Sequence, residues 1–530
     1  MQRRSYNLEK PFIRPASKCI LFTIFKQPGI ARPVPSSFRR DSGYQSEVAM
    51  KRSISAETLQ EIGTHLAQAH EAFQERYPGD TGGRRPIHVV YGGAHLFRSG
   101  TTRKLGELAL RSLDEFAPDF VVFARALGLP GADQLEDSPD TIAAIAESIE
   151  SAPGAARREN RPAWLAHTVY QRVREKLHRE PIEDYRIDFE DGYGNRPDEE
   201  EDAHAVAAAG EIAQAMTAGE LPPFIGIRIK PLTEELRHRS LRTLDIFITE
   251  LAGKTRGELP KQFRVTLPKV ALQEEVAALA DICSRLEHAL DIESGALRLE
   301  LMIETPQALF NPRGEVNLLP LVTAAQGRCL SMNFGPYDYT ASRGISASPH
   351  LLSHFASDFA REVMQVALAQ TGVSLADGPT NIMPIPPHRA PKDGPPLSKR
   401  QAEENSAVVH RAWRLHFDNV RRSLSNGFYQ GWDLHPAQLP ARYAAVFSFF
   451  LENVDSASER LRNFMEKAAQ ATRVGQVFDD AAMAQGLLNH FLRAVDCGAI
   501  TPAAAESLTT LSAAELRSGS FFQILQGRRG

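Results

Sequence analysis

Cysteine is scarce in this sequence. Its four cysteines stand far apart and form no C-x-x-C pair, the spacing typical of a metal-binding cluster. They are Cys19, Cys283, Cys329 and Cys497. Such usage fits thiols that serve as small buried apolar groups in a reducing compartment. We therefore expect a cytoplasmic protein.

Long apolar runs and an excess of basic residues are absent too. No stretch approaches the roughly eighteen consecutive apolar residues of a transmembrane helix, so we expect no membrane partner. The formal net charge is −4, from 61 Lys and Arg against 65 Asp and Glu, and this balance does not indicate a nucleic-acid partner. The hydrophobic content of 42% is typical of a soluble globular protein.

The first fifty residues differ in composition from the rest. Up to Arg40 the only acidic residue is Glu9, while Arg, Lys, Pro and Ser are scattered throughout. Two interpretations stay open: a transit-like presequence, or an upstream extension of a start at Met50. We expect residues 1–50 to be a disordered or spurious extension.

From about residue 86, short apolar runs alternate with longer amphipathic segments, which predicts strands separated by helices. Eight such units favour a (β/α)8 TIM barrel over an open doubly wound sheet. The phosphate loops G-x-G-x-x-G and G-x-x-x-x-G-K-[ST] follow none of the strands. The strand candidates are 88–91, 185–189, 224–229, 263–267, 297–303, 330–334, a weaker one near 380–385, and 428–434.

The remaining segments set the expected domain limits. Extra helices are predicted between 115 and 180, within the first crossover, and residues after 440 read as almost purely helical. We therefore expect a TIM-barrel domain with inserted helices over 51–440 and a helical C-terminal extension over 441–530.

Charged residues recur where the predicted strands end. In a barrel the interior is packed with apolar side chains and the chemistry lies at the carboxyl ends of the strands. One such charge is often explained by a salt bridge between loops, but charges at six strand ends predict a shared ligand or metal, because unpaired charges are costly to bury. They are Asp188, Glu190, Asp191, Arg228, Lys269, Glu304, Asp338, Asp433 and His435.

Carboxylates without Cys or His partners favour a hard cation with oxygen ligands, such as Mg²⁺ or Mn²⁺. Glu304 and Asp338 follow successive strands, so we expect them side by side as metal ligands. A metal there could bind a 2-keto-carboxylate and act as a Lewis acid on the enolate formed when a carbon–carbon bond breaks or is made. Arg228 is suited to hold the carboxylate bidentately.

Six short motifs occur in order at successive strand ends. They are D-F-E-D-G at 188–192, I-R-I-K-P-L at 227–232, L-P-K-V at 267–270, M-I-E-T-P at 302–306, F-G-P-Y-D at 334–338 and L-H-P-A-Q at 434–438. Over residues 86–450 the sequence resembles the HpcH/HpaI aldolase/citrate lyase family, which includes citrate lyase β subunits and malyl-CoA lyases. That resemblance implies a phosphoenolpyruvate/pyruvate-type TIM barrel with Mg²⁺.

The resemblance also implies roles for individual residues. It places the metal on Glu304 and Asp338 and the substrate carboxylate on Arg228. The remaining residues fall into three groups. Glu190 and Asp191 are expected in catalysis together with Arg228, Gly335 and Pro336 at the substrate, and Asp188, Lys269 and His435 as supports that orient or balance the charges of the others.

Several features depart from that family. Glu304 and Asp338 stand 34 positions apart (338 − 304), with residues 310–316 resembling an insertion. The sequence has no signature of a surface for CoA. In some relatives a catalytic Asp comes from a C-terminal lid or a neighbouring subunit, and no residue here can be assigned to that role, which leaves the general acid or base open.

Three functions therefore stay open. The first is a Mg-dependent carbon–carbon lyase or aldolase acting on a keto- or hydroxy-acid or its CoA thioester. The second is other enolate chemistry on pyruvate or phosphoenolpyruvate, and the third is an inactive barrel that binds a metabolite or a protein. We also expect a homo-oligomer.

Other residues with chemical potential have simpler explanations. We expect His350, His354 and His388 to be surface or loop histidines because their spacing is not that of ligands. Trp432 and Tyr339 either wall the pocket or belong to the core.

Overall fold

The computed structural model describes residues 53–79, 83–346, 352–391, 394–466, 472–474, 477–479 and 481–529. The expected extension over 1–50, which contains Cys19, lies outside these described residues, as does His350. The chain divides into two units, Met1–Ala67 and Gln68–Gly530. The described part of the first unit contains the start of helix α1 (Ala56–Arg76).

In the second unit, eight parallel strands close into a barrel, in which β1 pairs with both β2 and β8. This confirms the predicted (β/α)8 barrel. The strands are β1 (His88–Gly93), β2 (Asp184–Asp188), β3 (Phe224–Arg228), β4 (Phe263–Leu267), β5 (Arg298–Ile303), β6 (Cys329–Phe334), β7 (Ser374–Pro379) and β8 (Gln430–Asp433).

Helices connect the strands, and the first crossover holds the extra helices that the sequence predicts. The crossover helices are α2 (Thr101–Phe116), α3 (Phe120–Leu127), α4 (Pro139–Ser151), α5 (Pro153–Glu159), α6 (Arg161–Arg179), α7 (Asp198–Ala218), α8 (Arg237–Thr255), α9 (Gln273–Ala289), α10 (Pro306–Leu309), α11 (Leu318–Ala324), α12 (Pro336–Ser342), α13 (Phe355–Leu368) and α14 (Lys399–Ser425). Local caps set their starts: the Asp119 carboxylate accepts from two N–H groups of α3, and Ser398 forms a capping box with Gln401 at α14.

The predicted position of the seventh strand was wrong. We expected it near 380–385, whereas β7 spans Ser374–Pro379. The apolar side chains of Ile382 and Ile385 suggested a strand, yet both are exposed in the loop that follows. The true strand has the sequence SLADGP, which carries no apolar run. Its position is set by pairing with β6 and β8, which is a tertiary effect.

After β8 the chain is mostly helical, as expected, but it also contains a strand pair. The helices are α15 (Leu439–Leu451), α16 (Val454–Glu466), α17 (Ala481–Asp496), α18 (Pro502–Thr509), α19 (Ala513–Ser518) and α20 (Phe521–Arg529). Strands β9 (Thr472–Val474) and β10 (Val477–Asp479) pair in antiparallel fashion between α16 and α17. Among the helices described, none has the length and apolar character needed to cross a membrane. A domain boundary at 440 stays a prediction.

The barrel interior holds charged side chains where we expected apolar packing. Arg186 on β2 donates through Nε and Nη2 to the two carboxylate oxygens of Glu300 on β5, at 3.1 and 3.0 Å. It also pairs with Asp184 and donates to the hydroxyl of Thr266 at 3.0 Å. These four residues have no exposed surface. Their charges are tolerated because they are paired and hydrogen-bonded within the barrel.

Candidate active site

The carboxyl end of the barrel is organised around an ion pair between Asp188 and Arg228. The two residues are direct partners in the β2–β3 register, so their side chains emerge together. Arg228 donates through Nε and Nη2 to the two Asp188 oxygens, at 2.7 and 2.6 Å, and both residues are buried. Burial lowers the pKa of Arg228, but the carboxylates of Asp188 and Glu190 outweigh that effect and raise it.

The Arg228 guanidinium lies against two aromatic rings. Its Cζ is 4.7 Å from the ring centroid of Tyr91 and 5.5 Å from that of Trp432, while the two rings are 4.4 Å apart. Cation–π attraction stabilises the charge there. Trp432 therefore belongs to the site, whereas Tyr339 is buried in the core against Phe334. Tyr91 was not singled out from the sequence, although it ends an apolar run just before Gly92.

Glu190 and Lys269 continue this charge network towards solvent. Glu190 lies 3.0 Å from Arg228 through Oε2 and accepts from the Lys269 ammonium through Oε1. The same ammonium lies 3.4 Å from an oxygen of Asp191 and 3.9 Å from one of Asp338. Burial lowers the pKa of Lys269. The hydrogen bond to Glu190 and the charges of the nearby carboxylates together have a larger effect, so the pKa is raised. Burial raises the pKa of Glu190.

Glu304 is a buried carboxylate at the end of β5. It is 2% exposed, and its Oε1 accepts from the main-chain N–H of Lys269 at 2.6 Å. Burial, with the charge of Asp338 adding to it, raises the pKa of Glu304 to about 8. A carboxylate so disfavoured in its charged form is suited to a cation.

The F-G-P-Y-D motif at the end of β6 has a glycine where the Glu304 side chain comes close to the backbone. A Cβ on Gly335 would lie 2.4 Å from Oε2 of Glu304, so glycine is needed there, and its own N–H donates to the Ile303 carbonyl at 3.1 Å. Pro336 then starts α12, which carries Asp338 in its first turn. The Asp338 side chain is 45% exposed, in contrast to Glu304.

Two residues at the end of β8, Asp433 and His435, do not join this cluster. The Asp433 side chain points away from the barrel axis, where Arg442 donates to both of its oxygens and His416 lies 2.9 Å away. Its expected convergence on the barrel mouth was wrong, because side chains alternate along a strand and Trp432 takes the inward position. His435 accepts from the N–H of Ala437 within its own turn, and its supporting role stays a prediction.

Two further histidines that the sequence places on the surface or in loops, His354 and His388, have local roles. His354 caps α13 by accepting from the N–H of Ala356, and His388 lies 2.8 Å from the carboxylate of Glu404. Within the described ranges, no three His, Cys, Asp or Glu side chains cluster in a way that could hold a metal ion. Glu304 and Asp338 as metal ligands therefore stay a prediction.

A comparison with models of known protein families assigns the chain to a family. The profile described as "Domain of unknown function (DUF6986)" matches residues 66–524, which includes the whole barrel. The chain belongs to this family. No curated protein matches the sequence. The finer resemblance to the HpcH/HpaI family stays a prediction.

Solved structures with a similar arrangement include two enzymes. A citrate lyase from Burkholderia xenovorans LB400 is 18% identical, with a TM-score of 0.47 over 64% of this chain and 92% of that chain. A malate synthase of Haloferax volcanii in a lead(II) complex is 14% identical, with a TM-score of 0.35 over 68% of this chain and 94% of that chain. At such low similarity, substrate and metal must be argued from the site itself.

Proposed function

We propose that the chain is a Mg²⁺- or Mn²⁺-dependent carbon–carbon lyase or aldolase that acts on a keto- or hydroxy-acid. The observation that carries the proposal is the meeting of Glu304, Lys269 and Arg228 at one barrel mouth, within reach of the Glu190 and Asp338 carboxylates. Cations and carboxylates gathered at the carboxyl ends of barrel strands are the usual setting for catalysis in this fold.

Glu304 and Asp338 fit a hard divalent cation. Mg²⁺ accepts one or two protein carboxylates and takes its other ligands from water and substrate. The raised pKa of Glu304 reflects burial and the charge of Asp338, and a bound cation would offset both. When bound, the ion would polarise the oxygen atoms of the substrate.

Arg228 would bind the substrate carboxylate through the part of its guanidinium that Asp188 leaves accessible. Asp188 occupies Nε and Nη2, while Nη1 lies 3.0 Å from Glu190. An incoming carboxylate would therefore replace Glu190 at Nη1, and Glu190 would keep its contact with Lys269. This refines the predicted bidentate clamp: Asp188 orients Arg228, and the substrate meets the opposite side.

Proton transfer falls to the carboxylates beside this position. Glu190 and Asp191 both contact the Lys269 ammonium, which keeps them close to the substrate position. We assign proton abstraction or donation to an oxygen of one of these two groups, with Lys269 balancing their charge. Gly335 and Pro336 would wall the substrate beside Glu304.

Four further expectations accompany the proposal without support from the fold: use of a CoA thioester, a homo-oligomeric state, a cytoplasmic location, and the absence of membrane or nucleic-acid partners. Turnover of acyl-CoA esters by the purified chain would test the first.

The test is a screen of the purified full chain with Mg²⁺ against keto-acids, aldehydes and acyl-CoA esters, read by mass spectrometry for products with a new or broken carbon–carbon bond. We expect turnover that Glu304→Gln abolishes. The matched control is Glu315→Gln, which removes one charge from an exposed side chain after the same strand. Mg-dependent binding of an acid without any product would contradict a lyase and favour a binding protein.

A further inference from the structure

Two buried polar atoms beneath the mouth have no hydrogen-bond partner among the described residues. They are Oδ1 of Asn333 on β6 and the indole Nε1 of Trp432 on β8. Asn333 is 3% exposed. Buried polar groups are almost always paired, so orphaned ones call for an explanation.

The orientation of the Asn333 amide follows from its neighbours. The Tyr91 hydroxyl donates to Oε1 of Glu300 at 3.3 Å, and Nδ2 of Asn333 donates to the Tyr91 hydroxyl at 3.2 Å. A flipped amide would place Oδ1 against a hydroxyl whose hydrogen is already committed to Glu300. The acceptor Oδ1 is therefore the atom left without a partner.

Both orphaned groups adjoin the mouth. Asn333 and Trp432 each contact Tyr91, and Tyr91 and Trp432 both lie against Arg228. Tyr91 and Trp432 are only partly buried, although both are inside the barrel. Tyr91 also contacts Glu300, whose pair with Arg186 is fully buried, whereas Arg228 stands at the carboxyl end of β3. A ligand held by Arg228 would thus lie above Asn333 and Trp432.

The chemistry of the two atoms selects one kind of substituent. Oδ1 of Asn333 needs a donor, and the indole N–H needs an acceptor. A hydroxyl group supplies both. The positive charge of Arg228 nearby disfavours an ammonium group. A second carboxylate is disfavoured because it would be repelled by the Asn333 oxygen and by the charge of Glu300, which contacts Tyr91.

We propose that Asn333 and Trp432 are specificity-determining residues that bind a neutral hydroxyl group on the carbon chain of the substrate. This inference rests on the proposed function, because Arg228 must hold the carboxylate that places the hydroxyl. Neither residue would touch the carbon–carbon bond; together they would select among acids that share one carboxylate.

The test compares lactate with glycerate, two 2-hydroxy-acids that differ by one hydroxyl at the third carbon, by calorimetric titration of the full chain with Mg²⁺. We expect glycerate to bind about 10-fold more tightly, the effect of one good hydrogen bond. Asn333→Leu and Trp432→Phe should each bring the ratio of the glycerate and lactate affinities towards 1, whatever either change does to lactate affinity itself.

The matched control is Asn317→Leu, since Asn317 is as buried as Asn333 but bonds to Gln273 and Gln307 instead. It should keep the preference. Trp432→Phe serves if Asn333→Leu does not fold. Equal affinity of the wild type for the two acids, or an undiminished preference in the folded variants, would overturn this inference alone. Failure of both acids to bind the wild type would overturn it together with the proposed carboxylate site.

Discussion

The main-chain N–H of Lys269 donates to the Glu304 carboxylate at 2.6 Å, and the backbone of Lys269 has a left-handed conformation with φ of 51°. One residue thereby serves two carboxylates in different ways. Its N–H holds Glu304, while its ammonium holds Glu190. Left-handed backbone is costly for a residue with a Cβ, so the contact is maintained by the surrounding structure.

Two replacements of Lys269 test the energetic cost of its left-handed backbone. Lys269→Gly should be more stable than Lys269→Ala by about 1 kcal/mol, because glycine adopts the left-handed conformation without strain. Both variants lose the ammonium, so they form a matched pair. Urea unfolding measures the difference, and equal stabilities would show that this backbone conformation is not held in solution.

Loss of the two metal carboxylates should remove the response to magnesium. We expect Mg²⁺ to raise the melting temperature of the wild type, since a ligand that binds the folded state stabilises it. The double variant Glu304→Ala, Asp338→Ala should show no such rise, as measured by differential scanning fluorimetry. Asp281→Asn, a surface change on α9, is the control and should respond as the wild type does. A full magnesium response in the double variant would place the metal elsewhere.

Breaking the buried pair at the base of the site should be strongly destabilising. Asp188→Asn removes the charge opposite Arg228 and should lower the free energy of unfolding by about 3–5 kcal/mol. The exposed pair Asp281–Arg285 offers a comparison, for which loss of the charge in Asp281→Asn should change the free energy of unfolding far less, because water screens it. Chemical denaturation of the two variants tests this, and similar losses would mean that Arg228 is not dependent on Asp188.

A methyl group at Gly335 should affect the metal site more than the fold. In Gly335→Ala the new Cβ would displace the Glu304 side chain, whose Cβ and Oε2 lie within 2.5 Å of its position. Overpacking of this kind costs about 1–3 kcal/mol. We expect weaker Mg²⁺ binding by calorimetry. Gly253→Ala, where the added Cβ would meet nothing within 4 Å, should bind Mg²⁺ normally. Unchanged binding in Gly335→Ala would contradict the role of Glu304.

Stability should fall in mild acid because of His88. The imidazole is fully buried between Glu183 and Asp433, and burial lowers its pKa to about 4, against the opposing charge of Asp433. The neutral form favoured by folding is present above the unfolded pKa of about 6.5, and its contribution is lost as the pH falls towards 4. Between about pH 7 and pH 5 the free energy of unfolding should drop by ~2 kcal/mol from this group alone.

The matched variant for that experiment is His88→Gln, which can still accept from the Glu183 N–H but does not titrate in this range. Between pH 7 and pH 5 the free energy of unfolding of the variant, measured with urea, should fall by ~2 kcal/mol less than that of the wild type. Identical pH dependence in wild type and variant would contradict the assignment.

Local patterns in the sequence were sufficient for the barrel and for most of its mouth. Alternating strands and helices predict parallel pairing, and carboxyl ends of parallel strands necessarily meet at one end. Glu304 and Arg228 could thus be selected because each stands at a strand end. Charged residues stand at every second position of β2, so their side chains share one face of the strand. This alternation of Asp184, Arg186 and Asp188 could have predicted the polar interior.

The remaining features of the barrel and its mouth depend on how the barrel closes. The sequence by itself determined the number of barrel strands, their order and the residues that follow most of them, because these depend on periodicity along the chain. Only the tertiary structure decided that β7 lies before the apolar run, that Asp433 turns outward, and that Lys269 holds Glu304 through its main chain. These features depend on register and contacts between residues distant in sequence, which local hydrophobic patterns do not specify.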